Sequence, residues 1–361
     1  FQAEAGIRDY DVPGVQTCAL PIYDGVFDGR SPGLDQFMKT ATETGLVERD
    51  AEGYRFMPKM LEEHSFHEVR LENFISVYAN EVAPVAAARR AVSRAIEDAA
   101  GRDDPALAHL LFDDEMAAFE WNKRFFSLSQ YKDINDQETA TANAEPYLFL
   151  PEAPKGLGIV MVHGFLASPA ELRGFAEKLR AQGYPVIGVR LKGHGTSPWD
   201  LRGRSWRDWL ASVRRGTRIM QAFADRICVV GFSTGGALAL ILAAEKPDGL
   251  AGVVSVGAPL KFRNRNLVFV PLIHGVNKLV RWVSSFEGVM PFRQNESEHP
   301  DINYRNIPVR GLYELRLMAD ELKRRLGDVR CPAVIMQSTG DQVVNPKSGQ
   351  RISDRLGSRE K

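Results

Sequence analysis

The rhythm of apolar and polar residues changes near the middle of the chain. From about Pro146 onward, short runs that are apolar throughout alternate with longer stretches whose apolar residues recur at helical spacing. Residues 147–150, 158–162, 184–191, 227–230, 252–257 and 332–338 are predicted as strands. Helices are expected after Ser168, over residues 205–223 and over residues 237–244. A run such as Gly158-Ile159-Val160-Met161-Val162 lacks polar alternation, as strands covered on both faces do. Strand–helix alternation of this kind builds a mostly parallel sheet flanked by helices. Ser168-Pro169-Ala170-Glu171 offers an N-cap serine, a proline at the first helical position and a capping-box glutamate.

Before residue 140 the texture is helical and charged. Residues 34–44 have helical spacing, residues 45–56 read as a hairpin around a polar turn, and residues 82–100 read as an amphipathic helix stopped by Gly101. His64 and His67 can share a helix face, but no third ligand stands near them, so they read as surface histidines. Residues 2–22 closely resemble the translation of sequencing-adapter DNA found in assembled metagenomic reads, departing from it at positions such as Ala5 and Pro13. The expected organisation is therefore a non-native stretch over 1–22, a mainly helical segment over 23–140 and an α/β domain over 141–361. The helical segment is compatible with the remnant of a preceding domain.

Charge narrows the field of partners. The 361 residues carry 46 Lys plus Arg against 46 Asp plus Glu, which leaves no basic field for nucleic acid. No apolar run approaches the length of a membrane-spanning helix, and the opening is polar where a secretory signal would be apolar. Cys18, Cys228 and Cys331 form neither a disulfide framework nor a metal cluster, which fits free thiols in a reducing, cytoplasmic compartment.

Candidate chemistry centres on Gly231-Phe232-Ser233-Thr234-Gly235, a G-x-S-x-G pattern between an apolar strand and an apolar helix. A serine on such a strand-to-helix turn is held strained with its hydroxyl exposed, and Gly231 and Gly235 remove side chains that would collide around it. A serine in a tight Rossmann-like turn shares the short pattern, but the surrounding strand and helix favour the nucleophile. The first turn of the helix also directs backbone N–H groups at the site, where they stabilise a developing oxyanion.

The order of strand, His163-Gly164-Phe165, helix, strand, Gly193-His194-Gly195, helix and Gly231–Gly235 motif is similar to the bacterial carboxylesterase and monoacylglycerol-lipase branch of the α/β-hydrolases. The resemblance covers roughly residues 140–361. It implies an α/β-hydrolase fold with a cap insertion, Ser233 as nucleophile, and the N–H groups of Phe165 and Thr234 as the oxyanion hole. It also makes Asp341, just past the last predicted strand, the acid of a triad, with a turn aspartate capping the next short helix as the alternative. His163 and His194 are expected to shape loops. The family's base is a histidine after the acid, yet all seven histidines precede Asp341. Relative to the family, a final strand and helix and this histidine are missing, so the chain is expected to be nearly inactive. A cap is expected over about residues 261–310, with apolar patches at 267–273 and 279–283.

The implied function is a serine ester hydrolase acting on a small-molecule ester, lipid-like esters included, without cofactor or metal. An acyltransferase or lysophospholipid-remodelling enzyme would use the same acyl-enzyme. A non-catalytic scaffold of the same fold is the alternative from another class.

Overall fold

The computed structural model describes residues 32–50, 53–62, 69–77, 104–262, 291–294 and 296–361. The chain divides into two compact units, Phe1–Leu110 and Leu111–Lys361. In the first, α1 (Pro32–Glu43) leads into an antiparallel hairpin of β1 (Val47–Arg49) and β2 (Tyr54–Phe56), the helix and hairpin that the sequence predicts. Asp50 Oδ1 accepts the Gly53 N–H at 2.9 Å across the turn. Residues 1–22, His64, His67 and the expected helix over 82–100 lie outside the described residues.

The second unit is built on a six-stranded sheet of order β10-β7-β6-β4-β5-β3. Its strands are β3 (Tyr147–Phe149), β4 (Leu157–Val162), β5 (Val186–Val189), β6 (Arg226–Phe232), β7 (Leu250–Val256) and β10 (Ala333–Met336). All pairings are parallel except that of β3 with β5. Each of the six predicted strands is present. Strand β4, inside the sheet, is buried at every residue from Gly158 to Val162, as a strand covered on both faces is, which explains a sequence with no polar face. Helices α3 (Ala170–Ala181), α5 (Trp206–Gln221) and α6 (Thr234–Glu245) connect the strands, with the short helix α4 (Pro198–Arg202) between β5 and α5. Helix α5 starts in a true capping box, Ser205 with Asp208. Helix α6 has no polar side and is buried from Thr234 to Ala244, as a helix enclosed all round must be.

One expectation about α3 is corrected. Its N-cap is Pro169 with no side-chain cap, the Ser168 hydroxyl is buried without a partner among the described residues, and Glu171 binds elsewhere.

The second unit begins well before residue 141, inside helix α2 (Asp104–Phe125). The reason is a buried cation. Arg215 on α5, with a side chain only 4% exposed, pairs with Asp114 at 2.7 Å and Glu115 at 3.1 Å. Breaking a buried ion pair of this kind is strongly destabilising. Farther along, the Glu138 carboxylate accepts the N–H groups of Arg305 and Asn306 and the Asn306 side-chain amide, at 2.7, 2.9 and 2.8 Å.

Most of the expected cap lies outside the described residues. Its last part forms β8 (Phe292–Gln294) and β9 (Asn306–Pro308), paired antiparallel, before α7 (Val309–Arg325). After β10 comes α8 (Lys347–Arg355). Along the outer strand, Ala333 N–H donates to Glu360 O at 2.9 Å. Cys228 and Cys331 are free, and burial pushes both thiols up. Among the described residues no helix is long and apolar enough to cross a membrane, and no cluster of acidic, His and Cys side chains could hold a metal.

Candidate active site

The turn at Ser233 is steeply constrained. Ser233 has φ 51° and ψ −116°, a region that side chains with a Cβ rarely occupy. Its N–H donates to Val256 O at 2.7 Å, and Ala237 N–H returns to its carbonyl at 3.2 Å. Two glycines make the turn possible. A Cβ at Gly231 would lie 2.1 Å from Gly235 O, and one at Gly235 would lie 2.1 Å from Val162 O. The serine stands partly exposed at the C-terminal ends of the parallel strands, where open α/β sheets bind ligands. Thr234, the first residue of α6, has no carbonyl four residues back within the helix for its N–H.

The neighbouring loop leaves β4 through His163. The His163 Nε2 accepts Leu191 N–H at 3.2 Å, so the proton sits on Nδ1, which donates to Gly164 O at 2.8 Å. Burial pulls this imidazole down to about 4, so it is neutral near pH 7 and serves the loop rather than the serine. The Phe165 ring is tucked against His194 and Trp209, with centroids 5.8 and 5.6 Å away. Leu166 then takes φ 70°, and its carbonyl accepts Tyr304 N–H at 3.0 Å. Among the described residues only Leu166, Ser233 and Lys246 combine a side chain with left-handed φ. Two of those three flank the predicted oxyanion hole, the kind of place where backbone strain concentrates.

His194 is fully buried, and burial holds its imidazole well below the ordinary value. Its carbonyl accepts from Arg190, a buried guanidinium over the Phe119 ring. Tyr304 closes the layer: its OH accepts Thr196 N–H at 2.7 Å and donates to Gly193 O at 3.1 Å. Sequence reasoning missed Tyr304, because more than one hundred residues separate it from both partners and no local pattern marks it.

Asp341 sits in the loop after β10. Its Oδ1 accepts Val343 N–H and Val344 N–H, both at 2.9 Å, and its Oδ2 accepts from the Gln337 amide at 2.9 Å. It therefore holds its own turn, but it does not cap the following helix, α8, whose N-cap is Pro346 with no side-chain bond. Its carboxylate also faces the end of β7: a Cβ at Gly257 would lie 3.9 Å from Oδ2. Ser233, Gly257 and Asp341 thus follow three adjacent strands, β6, β7 and β10, at one edge of the sheet.

The buried imidazoles give a pH dependence of stability. His163 and His194 stay neutral in the folded chain, but in the unfolded chain they take up protons near the ordinary value of 6.5. The unfolded state thus binds more protons as pH falls, so stability is complete above about 6.5 and is lost toward about 4. Burial lifts the Glu171 carboxyl to about 6, so it works the other way between about 6 and its ordinary 4.5. Burial raises the Glu314 carboxyl as well, so two carboxyls oppose the two imidazoles, whose larger shifts prevail. The melting temperature is expected to fall steadily from pH 6.5 to 4.5, and His163→Asn should flatten that slope; an unchanged slope would remove His163 as its source.

A strand–elbow–helix serine beside a strained loop at the C-terminal edge of a parallel sheet defines an α/β-hydrolase. The chain belongs to the family described as serine aminopeptidase, S33, whose model matches residues 153–361. It is 32% identical over 235 residues to a thermostable monoacylglycerol lipase of Bacillus sp. (strain H-257), covering 63% of this chain and 86% of that protein. A solved structure from LipS and LipT, two metagenome-derived lipolytic enzymes, matches at 27% identity with a TM-score of 0.53, covering 61% of this chain and 86% of that chain. The chain thus stands in the carboxylesterase and monoacylglycerol-lipase-like branch of the α/β-hydrolases.

Proposed function

We propose that the protein is a serine ester hydrolase, and the observation that carries this reading is the left-handed backbone of Ser233 at a glycine-flanked turn. The Ser233 Oγ attacks the ester carbonyl. The resulting oxyanion accepts from Phe165 N–H and Thr234 N–H, each donor contributing about 10²–10³ in rate. Collapse expels the alcohol and leaves an acyl-enzyme, which water hydrolyses. Asp341 is the acid that would orient and balance a protonated imidazole. The similarity to lipolytic proteins supports carboxylic esters as substrates, lipid-like ones included.

The proton acceptor is the weak link. No histidine follows Asp341, and the two beside the loop, His163 and His194, are buried and neutral. Among the described residues no imidazole hydrogen-bonds the Ser233 hydroxyl, so slow ester turnover is expected of these 361 residues for want of a positioned base. Free imidazole should replace that base in part. Hydrolysis of p-nitrophenyl butyrate, corrected for uncatalysed imidazole cleavage, is expected to rise roughly tenfold, short of the ~10²–10⁴-fold that a positioned base gives. The rise should saturate, and Ser233→Ala should remove it together with fluorophosphonate labelling. An equal rise in Ser233→Ala, with no labelling of Ser233, would replace the enzyme by a non-catalytic scaffold. Aminoacyl anilides cleaved in preference to esters would replace the esterase by an aminopeptidase.

A further inference from the structure

The glutamate that fails to cap its own helix has a different partner. Glu171 stands where it could reach back to the start of α3, yet its Oε2 accepts the Gly164 N–H at 2.7 Å, seven residues earlier. The helix start is left with no side-chain cap, and the Ser168 hydroxyl is buried without a partner among the described residues. A local stabilising interaction has been given up in favour of one bond to the loop beside Ser233. Departures of this kind from local rules concentrate at functional sites.

That bond completes a clamp. Gly164 has no side chain to limit its rotation, but both of its peptide groups are held: its N–H by Glu171 and its C=O by His163 Nδ1 at 2.8 Å. The carbonyl of Gly164 and the N–H of Phe165 belong to one peptide, and across a trans peptide they point in opposite directions. Fixing the first aims the second. The carboxylate also lies directly against the loop: a Cβ at Gly164 would sit 3.4 Å from Oε2, 3.5 Å from Oε1 and 3.5 Å from the Phe232 ring.

We propose that Glu171 is a positioning residue for the oxyanion hole, holding Gly164 so that, with His163, it sets the direction of the Phe165 N–H. The catalytic part of this inference rests on the assignment of Phe165 under the proposed function; the clamp itself does not.

The test compares Glu171→Ala and Glu171→Gln with the parent chain, by amide hydrogen exchange at Gly164 and Phe165 and by imidazole-supported ester kinetics per folded molecule. Glutamine keeps an oxygen that can accept from Gly164; alanine does not. Glu171→Ala is expected to speed Gly164 exchange at least about tenfold and to lower kcat by roughly 10- to 100-fold, the scale of a misaimed catalytic group. KM should change by less than about twofold, because the oxyanion donor acts on the transition state. Glu171→Gln should restore most of both readouts. A purely structural role would lower the melting temperature and leave kcat per folded molecule unchanged, which would overturn the proposal. If Glu171→Ala does not fold, Glu171→Asp, one methylene shorter, takes its place in the comparison. If the parent chain hydrolyses no ester, the esterase reading fails by itself. Exchange at Gly164 then decides the clamp: faster in Glu171→Ala and restored in Glu171→Gln supports it, and no change overturns it.

Discussion

Gly235→Ala is expected to destabilise the hydrolase unit by about 3 kcal/mol or more and to abolish imidazole-supported turnover. One methyl group suffices because of what it meets. Its Cβ would lie 2.1 Å from Val162 O and 2.7 Å from His163 O, which are backbone atoms rather than the ends of flexible side chains. Neither side can yield. Val162 is paired with both Val189 and Gly231 in the central strand, and α6 is enclosed along its whole length. Relief must come from lifting α6 off the sheet or from displacing His163, and either one moves a donor of the proposed oxyanion hole. Two other glycines calibrate the result. At Gly236 the Cβ would meet the Ser255 Oγ at 2.8 Å, and the nearest backbone atoms, Gly231 O and Val256 N, stand farther off at 3.1 and 3.3 Å, so alanine there should cost less. At Gly174 on α3 nothing lies within 4 Å, and alanine should be neutral or slightly stabilising through helix propensity. For a unit of this size the Gly235→Ala loss corresponds to a drop in melting temperature of roughly 6–12 °C. A melting temperature within a degree of the parent would mean that α6 can move and that the elbow is not rigid.

Which features were legible in the sequence follows from how local their causes are. Strand β4 was legible because its pattern reflects burial on both faces, and the hairpin of β1 and β2 because its polar turn separates two short runs. The elbow was legible because Gly231, Ser233 and Gly235 fall within five residues, although the atoms that a Cβ at Gly235 would meet belong to β4 and the residue after it. Asp341 was legible as the end of a strand, although the sequence offered a triad acid and a cap of the next helix as alternatives; the carboxylate binds its own turn instead of that helix, and it follows the strand at the edge of the sheet that bears Ser233. Glu171 was visible but misread. The spacing from Ser168 fits a capping box, and nothing in it says that a loop folding back will present Gly164 N–H instead. Tyr304 and the Asp114–Arg215 pair were invisible, since each joins residues about a hundred positions apart. The left-handed turn at Leu166 was hidden for another reason: leucine gives no sign of the conformation, which the bond from Tyr304 helps to hold.

Ser233→Gly is expected to stabilise the protein while removing its proposed nucleophile. At φ 51° and ψ −116° a residue with a Cβ carries strain of about 1–3 kcal/mol, which glycine does not. Against this stands the extra backbone freedom of glycine in the unfolded chain, about 0.5–1 kcal/mol. The balance is a gain on the order of 1 kcal/mol, or about 2–4 °C in melting temperature for a unit of this size. Ser233→Ala separates the two contributions of the side chain. It removes the hydroxyl and keeps the Cβ, so it should melt close to the parent and well below Ser233→Gly, although both variants lose acylation. Equal melting temperatures for the two variants would show that the turn carries no strain and that the hydroxyl is presented at no cost. A higher value for glycine alone would show that the fold gives up stability at this residue to keep the Ser233 hydroxyl at the mouth of the sheet.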